Sequence, residues 1–453
     1  MRKGKPSISV GEKIGYGLGD TAANLVWRTL MIFLPIFYTD VFGLSAAAVG
    51  TLLLICRYWD GITDFIMGLI ADRTKTRWGK YRPWILWTAL PFGITTILTF
   101  TTPNLSYSGK LIYAYFTYSA LIIVYTANNI PYAALMGVMS SNPGERTSLS
   151  SYRFIFAFLG GLITQGLNIY LVDFFGKGDD IKGYKYTMTL FAGLAILFFL
   201  ITFLSTKERV QTIPRKRSSL KGDVKDLFGN KPWVILFFFG ILYVAYTTLK
   251  YSTLMYYFTY FVGNVHYATA YMIVGLIAAM IGASTTKTVT ARWGKRRVVN
   301  IFMILGLLSS VLFYFCTPST IALIFVLGIL GEFFAAPVVA LFFSMLADTA
   351  DYSEWKNGRR ATGLIFSAGT VAMKFGSGIA GAFTGWMLMA FGYVANAIQT
   401  PGALLGIRLL MSLFPALTAL ALIVLFQFYR IDEGLLARIE DDLARQQSSS
   451  GEV

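Results

Sequence analysis

Arg57, Asp60 and Asp64 lie close together inside one apolar run, Arg57-Tyr-Trp-Asp60-Gly-Ile-Thr-Asp64. Spacings of three and four residues put all three on one face of a helix. Two carboxylates one turn apart repel, and a charge at the centre of a membrane helix costs about 2.5–3.5 kcal/mol on insertion scales. A bound proton or cation relieves that repulsion. A hard cation such as Na⁺ takes oxygen ligands, and the Thr63 hydroxyl offers one more. The competing reading is a fixed salt-bridge lattice that holds helices together. A later run, Thr370-Val-Ala-Met-Lys374, buries a lysine too deep to snorkel easily. With Lys374 added, the charges of Arg57, Asp60 and Asp64 sum to zero, so Lys374 is an expected partner of the pair.

Two further stretches suit a sugar, which needs directional hydrogen bonds and a flat apolar surface. Asp20, Asn24 and Trp27 share a helix face in Gly15-Tyr-Gly-Leu-Gly-Asp20-Thr-Ala-Ala-Asn24-Leu-Val-Trp27. Asn128 and Asn129 precede Pro131 deep in another run, Tyr125-Thr-Ala-Asn-Asn129-Ile-Pro131-Tyr132, which predicts a locally opened helix with spare hydrogen-bonding groups. Polar glue between helices is the alternative for both. The aromatic stretches Phe237-Phe238-Phe239 and Tyr256-Tyr257 are expected to face lipid or the interface.

The elements that carry these residues follow from composition. Of 453 residues, 55% are hydrophobic and 14% charged, too few polar side chains to cover a water-facing surface. Twelve apolar runs appear, at about 14–42, 46–71, 83–103, 109–139, 147–175, 185–206, 231–262, 267–290, 298–317, 319–347, 361–391 and 402–428. They are too long for barrel strands and read as membrane helices. The first is too long for a cleavable signal peptide. Of the 39 Lys and Arg residues, 29 fall in the termini and even-to-odd loops, four in the opposite loops and six inside runs. This places both termini in the cytoplasm. The net charge of +16 is therefore a topology signal and not a nucleic-acid footprint. Two cysteines, Cys56 and Cys316, and a lone His266 leave no disulfide framework and no Cys- or His-based metal site. No Walker-type loop is present, and Gly15-x-Gly17-x-Gly19 has no strand before it, so neither ATP-driven transport nor a dinucleotide enzyme is expected.

The chain repeats itself. Arg77-Trp-Gly-Lys-Tyr-Arg82 recurs as Arg292-Trp-Gly-Lys-Arg-Arg297, and Gly144-Glu-Arg-Thr-Ser-Leu149 is echoed by Gly358-Arg-Arg-Ala-Thr-Gly-Leu364, both at offsets near 215. The expected architecture is all-α: twelve transmembrane helices in two six-helix pseudo-symmetric halves, 1–204 and 232–428, with a linker at 205–231 and a tail at 429–453. Such halves bind substrate near the membrane midplane.

Lys13-Ile-Gly-Tyr-Gly-Leu-Gly-Asp20, Phe37-Tyr-Thr-Asp40-Val-Phe-Gly43, Trp59-Asp60-x-x-x-Asp64, Asp72-Arg-Thr-Lys-Thr-Arg-Trp-Gly-Lys-Tyr-Arg-Pro83, Asn129-Ile-Pro-Tyr132 and Ala347-Asp-Thr-Ala-Asp-Tyr-Ser-Glu354 together carry a family likeness. Over about residues 10–430 the chain resembles the glycoside–pentoside–hexuronide:cation symporters of the major facilitator superfamily. The resemblance implies a cation site at Asp60 and Asp64 with Thr126, a Lys374 close to both cation and sugar, and a sugar cavity that includes Tyr125, Arg153 and Thr370. Asn24 and Asn129 stand where melibiose-carrying members have sugar-binding aspartates, and Thr63 where they have asparagine. Asp20 is an additional carboxylate, one turn before Asn24, as in glucuronide- and xyloside-type members. The implied activity is symport of a glycoside with H⁺ or Na⁺ by alternating access, by a monomer in membrane lipid with no cofactor. The gate salt bridges are expected to draw Asp72, Arg73 and Arg77 against Asp348, Asp351 and Arg359. A carrier of lysolipids or other amphiphiles, and a non-transporting sugar sensor, are the rival readings. The intramembrane bases Arg28, Arg57, Arg153, Lys250, Lys374 and Arg408 outnumber the acids Asp20, Asp60, Asp64 and Glu332. That surplus favours an acidic glycoside such as a uronide over its neutral analogue, unless Asp20 and Glu332 already balance the bases.

Overall fold

The computed structural model describes residues 8–140, 142–210, 227–357 and 362–450. Among them the long elements are all helices: α1 Val10–Ile32, α2 Ala46–Arg73, α3 Arg82–Thr99, α4 Tyr107–Met139, α5 Pro143–Gly176 and α6 Asp180–Ser205. Then come α7 Lys231–Val262, α8 His266–Trp293, α9 Lys295–Phe313, α10 Ile321–Asn357, α11 Thr362–Ala390 and α12 Pro401–Phe426. These match the twelve apolar runs in order. A thirteenth helix, α13 Glu433–Ser450, follows them. Among the described residues, nine helices are long and apolar enough to cross a membrane on their own, and α1 makes ten with its continuation Leu34–Val41, bent by 54°. Helix α2 misses that measure because it holds the Arg57, Asp60 and Asp64 charges. Helix α3 misses it because its 18 residues include Arg82, two prolines and four threonines.

Burial runs opposite to that of a water-soluble helix. On α2, Phe65 is 68% exposed and Ile62 53%, whereas Asp60 is fully buried and Arg57 nearly so. Apolar outside and charged inside is the arrangement that hydrocarbon demands.

Contacts divide the chain into two compact units. One holds α1–α6 with the Asn264–Ile273 and Gly385–Thr400 segments; the other holds α7, Val274–Thr384 and everything from Pro401 onward. In the first unit, Asn396 donates from Nδ2 to the Asp40 carbonyl at 2.6 Å, Tyr393 donates to the Asp40 carboxylate, and Trp386 donates to Thr51 at 3.1 Å. In the second, α7, α10 and α12 share a core in which Phe239 stacks on Phe342 and meets Phe426.

Three glycines of α1 let its neighbours close in. A Cβ at Gly15 would meet Ser205 of α6, one at Gly17 would meet Phe156 of α5, and one at Gly19 would fall 2.4 Å from the Tyr132 ring of α4. The glycine run thus serves helix packing, as small residues do in membrane bundles.

The repeat extends beyond the sequence echo. The Glu208 carboxylate accepts from the backbone N–H groups of Lys80, Tyr81 and Arg82 at 2.7–2.9 Å, where α3 begins. Glu433 accepts from Lys295 at 2.8 Å, where α9 begins. In each unit a carboxylate just beyond the sixth helix satisfies N–H groups that a helix start leaves open. Most of the expected linker, residues 211–226, lies outside the described residues.

Two expectations are corrected. Helix α4 is continuous through Pro131; the proline removes a single backbone donor, and the helix does not open. Phe239, Tyr256 and Tyr257 are buried, and only Phe238 of the first aromatic stretch is well exposed. An unbroken aromatic run covers every face of its helix, so part of it enters the core.

Candidate functional site

Helix α2 sets Arg57, Asp60 and Asp64 one above the other, and α4 brings Thr126 against them. The Thr126 hydroxyl lies 3.0 Å from Asp60 Oδ1 and 3.1 Å from Asp64 Oδ1. Arg57 Nη1 approaches Asp60 Oδ2 at 3.5 Å. A hydroxyl has one proton, so it can donate to only one of these two oxygens at a time. Arg57, Asp60 and Asp64 together carry a net charge of −1. A proton or a monovalent cation bound between the two carboxylates would relieve their repulsion.

Arg57 is fixed from its other side. Its guanidinium lies 4.3 Å over the Trp27 ring, and Nη2 reaches the Met31 sulfur at 3.1 Å. Trp27 in turn stacks on Tyr125 at 4.8 Å. One face of the tryptophan therefore orients the arginine beside the carboxylate pair, a cation–π contact in a desolvated setting. Thr63 points elsewhere: its hydroxyl donates to the Asp60 main-chain carbonyl at 3.0 Å.

A second cluster joins α1, α4 and α5. Arg153 holds Asp20 through two points, Nε to Oδ2 at 2.6 Å and Nη2 to Oδ1 at 3.3 Å. The Tyr132 hydroxyl lies 3.0 Å from Asp20 Oδ2 and 2.6 Å from the Tyr16 carbonyl oxygen, either of which can accept its one proton. Tyr16 and Tyr132 stack at 4.8 Å, and the guanidinium lies 5.0 Å from the Tyr132 ring centre. Asn24 donates to the Asp20 carbonyl at 2.9 Å.

The sequence matches the MFS/sugar transport protein family over residues 15–433. The chain belongs to that family. It is 37% identical to the isoprimeverose transporter of Lactiplantibacillus pentosus, covering 98% of this chain and 94% of that protein. It is 36% identical to the inner membrane symporter YicJ of Escherichia coli (strain K12), over 98% of each. Among solved structures, nucleoside transporter NupG superposes with a TM-score of 0.65 at 14% identity, over 92% of this chain and 99% of that one, which shows the fold. The chain is a multi-pass membrane transporter of the major facilitator fold, twelve helices in two halves, and not an enzyme.

The rest of this sugar transporter's expected site residues lie as follows. Asn129 is half-buried on α4; its neighbour Asn128 donates to Thr88 at 2.8 Å and ties α4 to α3. Thr370 and Lys374 lie one turn apart on α11, with the Thr370 hydroxyl donating to the Phe366 carbonyl at 3.0 Å. Of the gate residues, Asp72 bonds Lys80 at 3.0 Å and Tyr81 at 2.8 Å within its own loop, and Arg77 stacks on Trp78. Asp348 bonds Lys295 at 2.7 Å. Arg73 is exposed, Asp351 half-buried, and Arg359 lies outside the described residues.

Other membrane-embedded charges take local partners. Arg408 donates to the Tyr314 carbonyl at 2.6 Å, Lys250 to Tyr246 at 3.2 Å, and Glu332 accepts from Tyr251 at 3.0 Å. Among the described residues there is no group of three or more His, Cys, Asp or Glu able to hold a metal. Sequence reasoning gave no role to Tyr16 and Tyr132. The readable signal was Gly19: a glycine beside a membrane carboxylate leaves room for a large side chain from another helix.

Proposed function

We propose that this transporter imports a glycoside together with a proton carried at Asp60, Asp64 and Thr126. The supporting observation is the single Thr126 hydroxyl shared by two carboxylate oxygens. A proton on either carboxylate removes the repulsion between the two. Na⁺ is the alternative ion, for which the oxygens of Asp60, Asp64, Thr126 and Thr63 would be the ligands. The glycoside substrate is supported by the family and by the isoprimeverose transporter among the relatives. These sugar-transport relationships favour neither an amphiphile carrier nor a sensor.

In this reading the halves 1–204 and 232–428, joined by 205–231, rock about the loaded site as a monomer in the inner membrane, with the tail 429–453 in the cytoplasm. Neutralising the carboxylate pair readies the sugar-binding residues of the first unit, Asn24, Trp27, Tyr125, Asn129 and Arg153; Thr370 and Lys374 are the sugar-binding residues proposed for the second. Asp72, held by Lys80 and Tyr81, and Asp348, held by Lys295, change partners as the cytoplasmic side opens. Purified protein in vesicles tests the ion: a pH gradient alone should drive isoprimeverose or another glycoside to accumulate, with one proton entering per sugar. Accumulation driven by a Na⁺ gradient and indifferent to pH would reject the proton.

A further inference from the structure

A cavity of about 650 Å³ lies in the second unit, where α8 ends, α9 begins and the chain leaves α12 for α13. The distribution of Lys and Arg predicts that this end of the bundle faces the cytoplasm. Arg292, Arg296 and Arg297 line the cavity, with Asn300 of α9 and Gln427 beyond α12. Arg296 donates from Nη2 to the Gln427 carbonyl at 3.1 Å, and Gln427 donates to Asn300 Oδ1 at 3.0 Å, which ties the two sides together. Asp432 and Glu433 also line it, and both turn to backbone. Asp432 accepts from the Leu435 N–H at 2.8 Å and Glu433 from the Lys295 N–H at 2.8 Å. Among the described residues no carboxylate lies within ion-pair distance of the three guanidiniums. Three arginines against two carboxylates leave the lining one positive charge in excess.

The first unit offers a contrast. There Arg82, which the sequence echo aligns with Arg297, gives its guanidinium to the Phe203 and Trp78 carbonyls at 2.6 and 3.3 Å. Arg297 is exposed instead, and Arg296 stands where the first copy has Tyr81. The cavity also continues into an apolar track. On α9, Ile304, Leu308 and Leu312 follow Asn300 at intervals of four and are exposed. On the neighbouring α12, Val424, Leu420 and Leu417 precede Gln427 at intervals of three and four and are exposed. Each series forms one face of its helix. Trp293, half exposed at the same end, suits an interfacial anchor.

We propose that this cavity binds the headgroup of an anionic phospholipid of the cytoplasmic leaflet, with the acyl chains lying along α9 and α12. A phosphodiester carries one negative charge, equal to the excess of the lining, and its oxygens accept from a guanidinium in two-point geometry. Basic pockets between membrane helices on the cytoplasmic side suit such headgroups. A free phosphate would satisfy the arginines and leave the apolar track unused. Asp60, Asp64 and Arg153 belong to the other unit, so the lipid site stands or falls apart from the ion and sugar readings.

Equilibrium binding of radiolabelled phosphatidylglycerol to the delipidated full-length protein in detergent tests this, with phosphatidylcholine of the same chains as the comparison. Wild type should bind one phosphatidylglycerol at least tenfold more tightly than phosphatidylcholine. Arg292→Gln with Arg297→Gln should lose at least tenfold for phosphatidylglycerol and leave phosphatidylcholine unchanged. Lys75→Gln with Lys185→Gln removes the same charge from exposed positions in the first unit and should stay within twofold of wild type. Arg296→Gln alone should lose at least threefold, and it reads the site if the double arginine variant proves unstable. Glycerophosphoglycerol and inorganic phosphate, which lack chains, should not displace the lipid at concentrations where unlabelled phosphatidylglycerol does. Equal binding of the two lipids by wild type, an affinity unmoved in both arginine variants, or the same loss in the lysine variant overturns the proposal and leaves only diffuse surface charge. Displacement by glycerophosphoglycerol or phosphate as readily as by the lipid also overturns it, and makes the ligand a soluble phosphate compound.

Discussion

In the proposed mechanism coupling turns on two carboxylates that share one hydroxyl. Thr126 reaches both Asp60 and Asp64 within 0.1 Å of the same distance. Thr126→Ala removes that shared donor and should lower ion-driven sugar uptake at least tenfold, about 1.4 kcal/mol. Thr126→Ser keeps the hydroxyl and should stay within about threefold. Initial rates of uptake in vesicles check this, and equal loss in both variants would make Thr126 a packing residue only. The carboxylate pair was legible in the sequence because both members lie on one helix, where spacing fixes the face. Thr126 came only from family resemblance, since no local pattern links α4 to α2. The Asp20–Arg153 pair, 133 residues apart, was not legible: a lone membrane carboxylate reads equally as a sugar ligand or as a partner for any base in the bundle.

At the scale of elements, the fit of α1 against α4, α5 and α6 decides where those side chains stand. The Tyr132 ring fills the space that a side chain at Gly19 would take, and from there its hydroxyl reaches Asp20. Gly19→Ala should therefore destabilise the protein by about 1–3 kcal/mol through overpacking and weaken sugar binding by displacing the Tyr132 hydroxyl. Thermal unfolding in detergent, paired with sugar binding, measures both; an unchanged melting temperature would mean that α1 and α4 separate freely. The apolar runs gave the helices because hydrocarbon length dictates run length. Their faces were harder to read. Asn128 and Asn129 are one residue apart, yet only the first turns to Thr88, and rotation about a helix axis is set by neighbours that a single run does not reveal. Buried Phe239 and Tyr257 carry the same lesson.

At the scale of the whole molecule, 29 basic residues in the termini and even-to-odd loops against four in the opposite loops predict one orientation for the twelve helices as a set. A cysteine placed at Asp179 in intact cells should react with a membrane-impermeant reagent, and one at Arg73 should react only after the membrane is opened. The reverse pattern would invert the protein and the direction of transport with it. In the proposed mechanism the carboxylate pair carries the driving ion, and only a neutralised site lets the loaded carrier reorient. Asp64→Asn fixes that neutral state permanently. Sugar uptake against a concentration gradient, measured in vesicles for the wild type and Asp64→Asn with the same imposed ion gradient, is the most direct test. The account predicts that Asp64→Asn equilibrates sugar and still exchanges it across the membrane but never concentrates it. Accumulation by Asp64→Asn at the wild-type level would contradict the account and move the coupling site elsewhere.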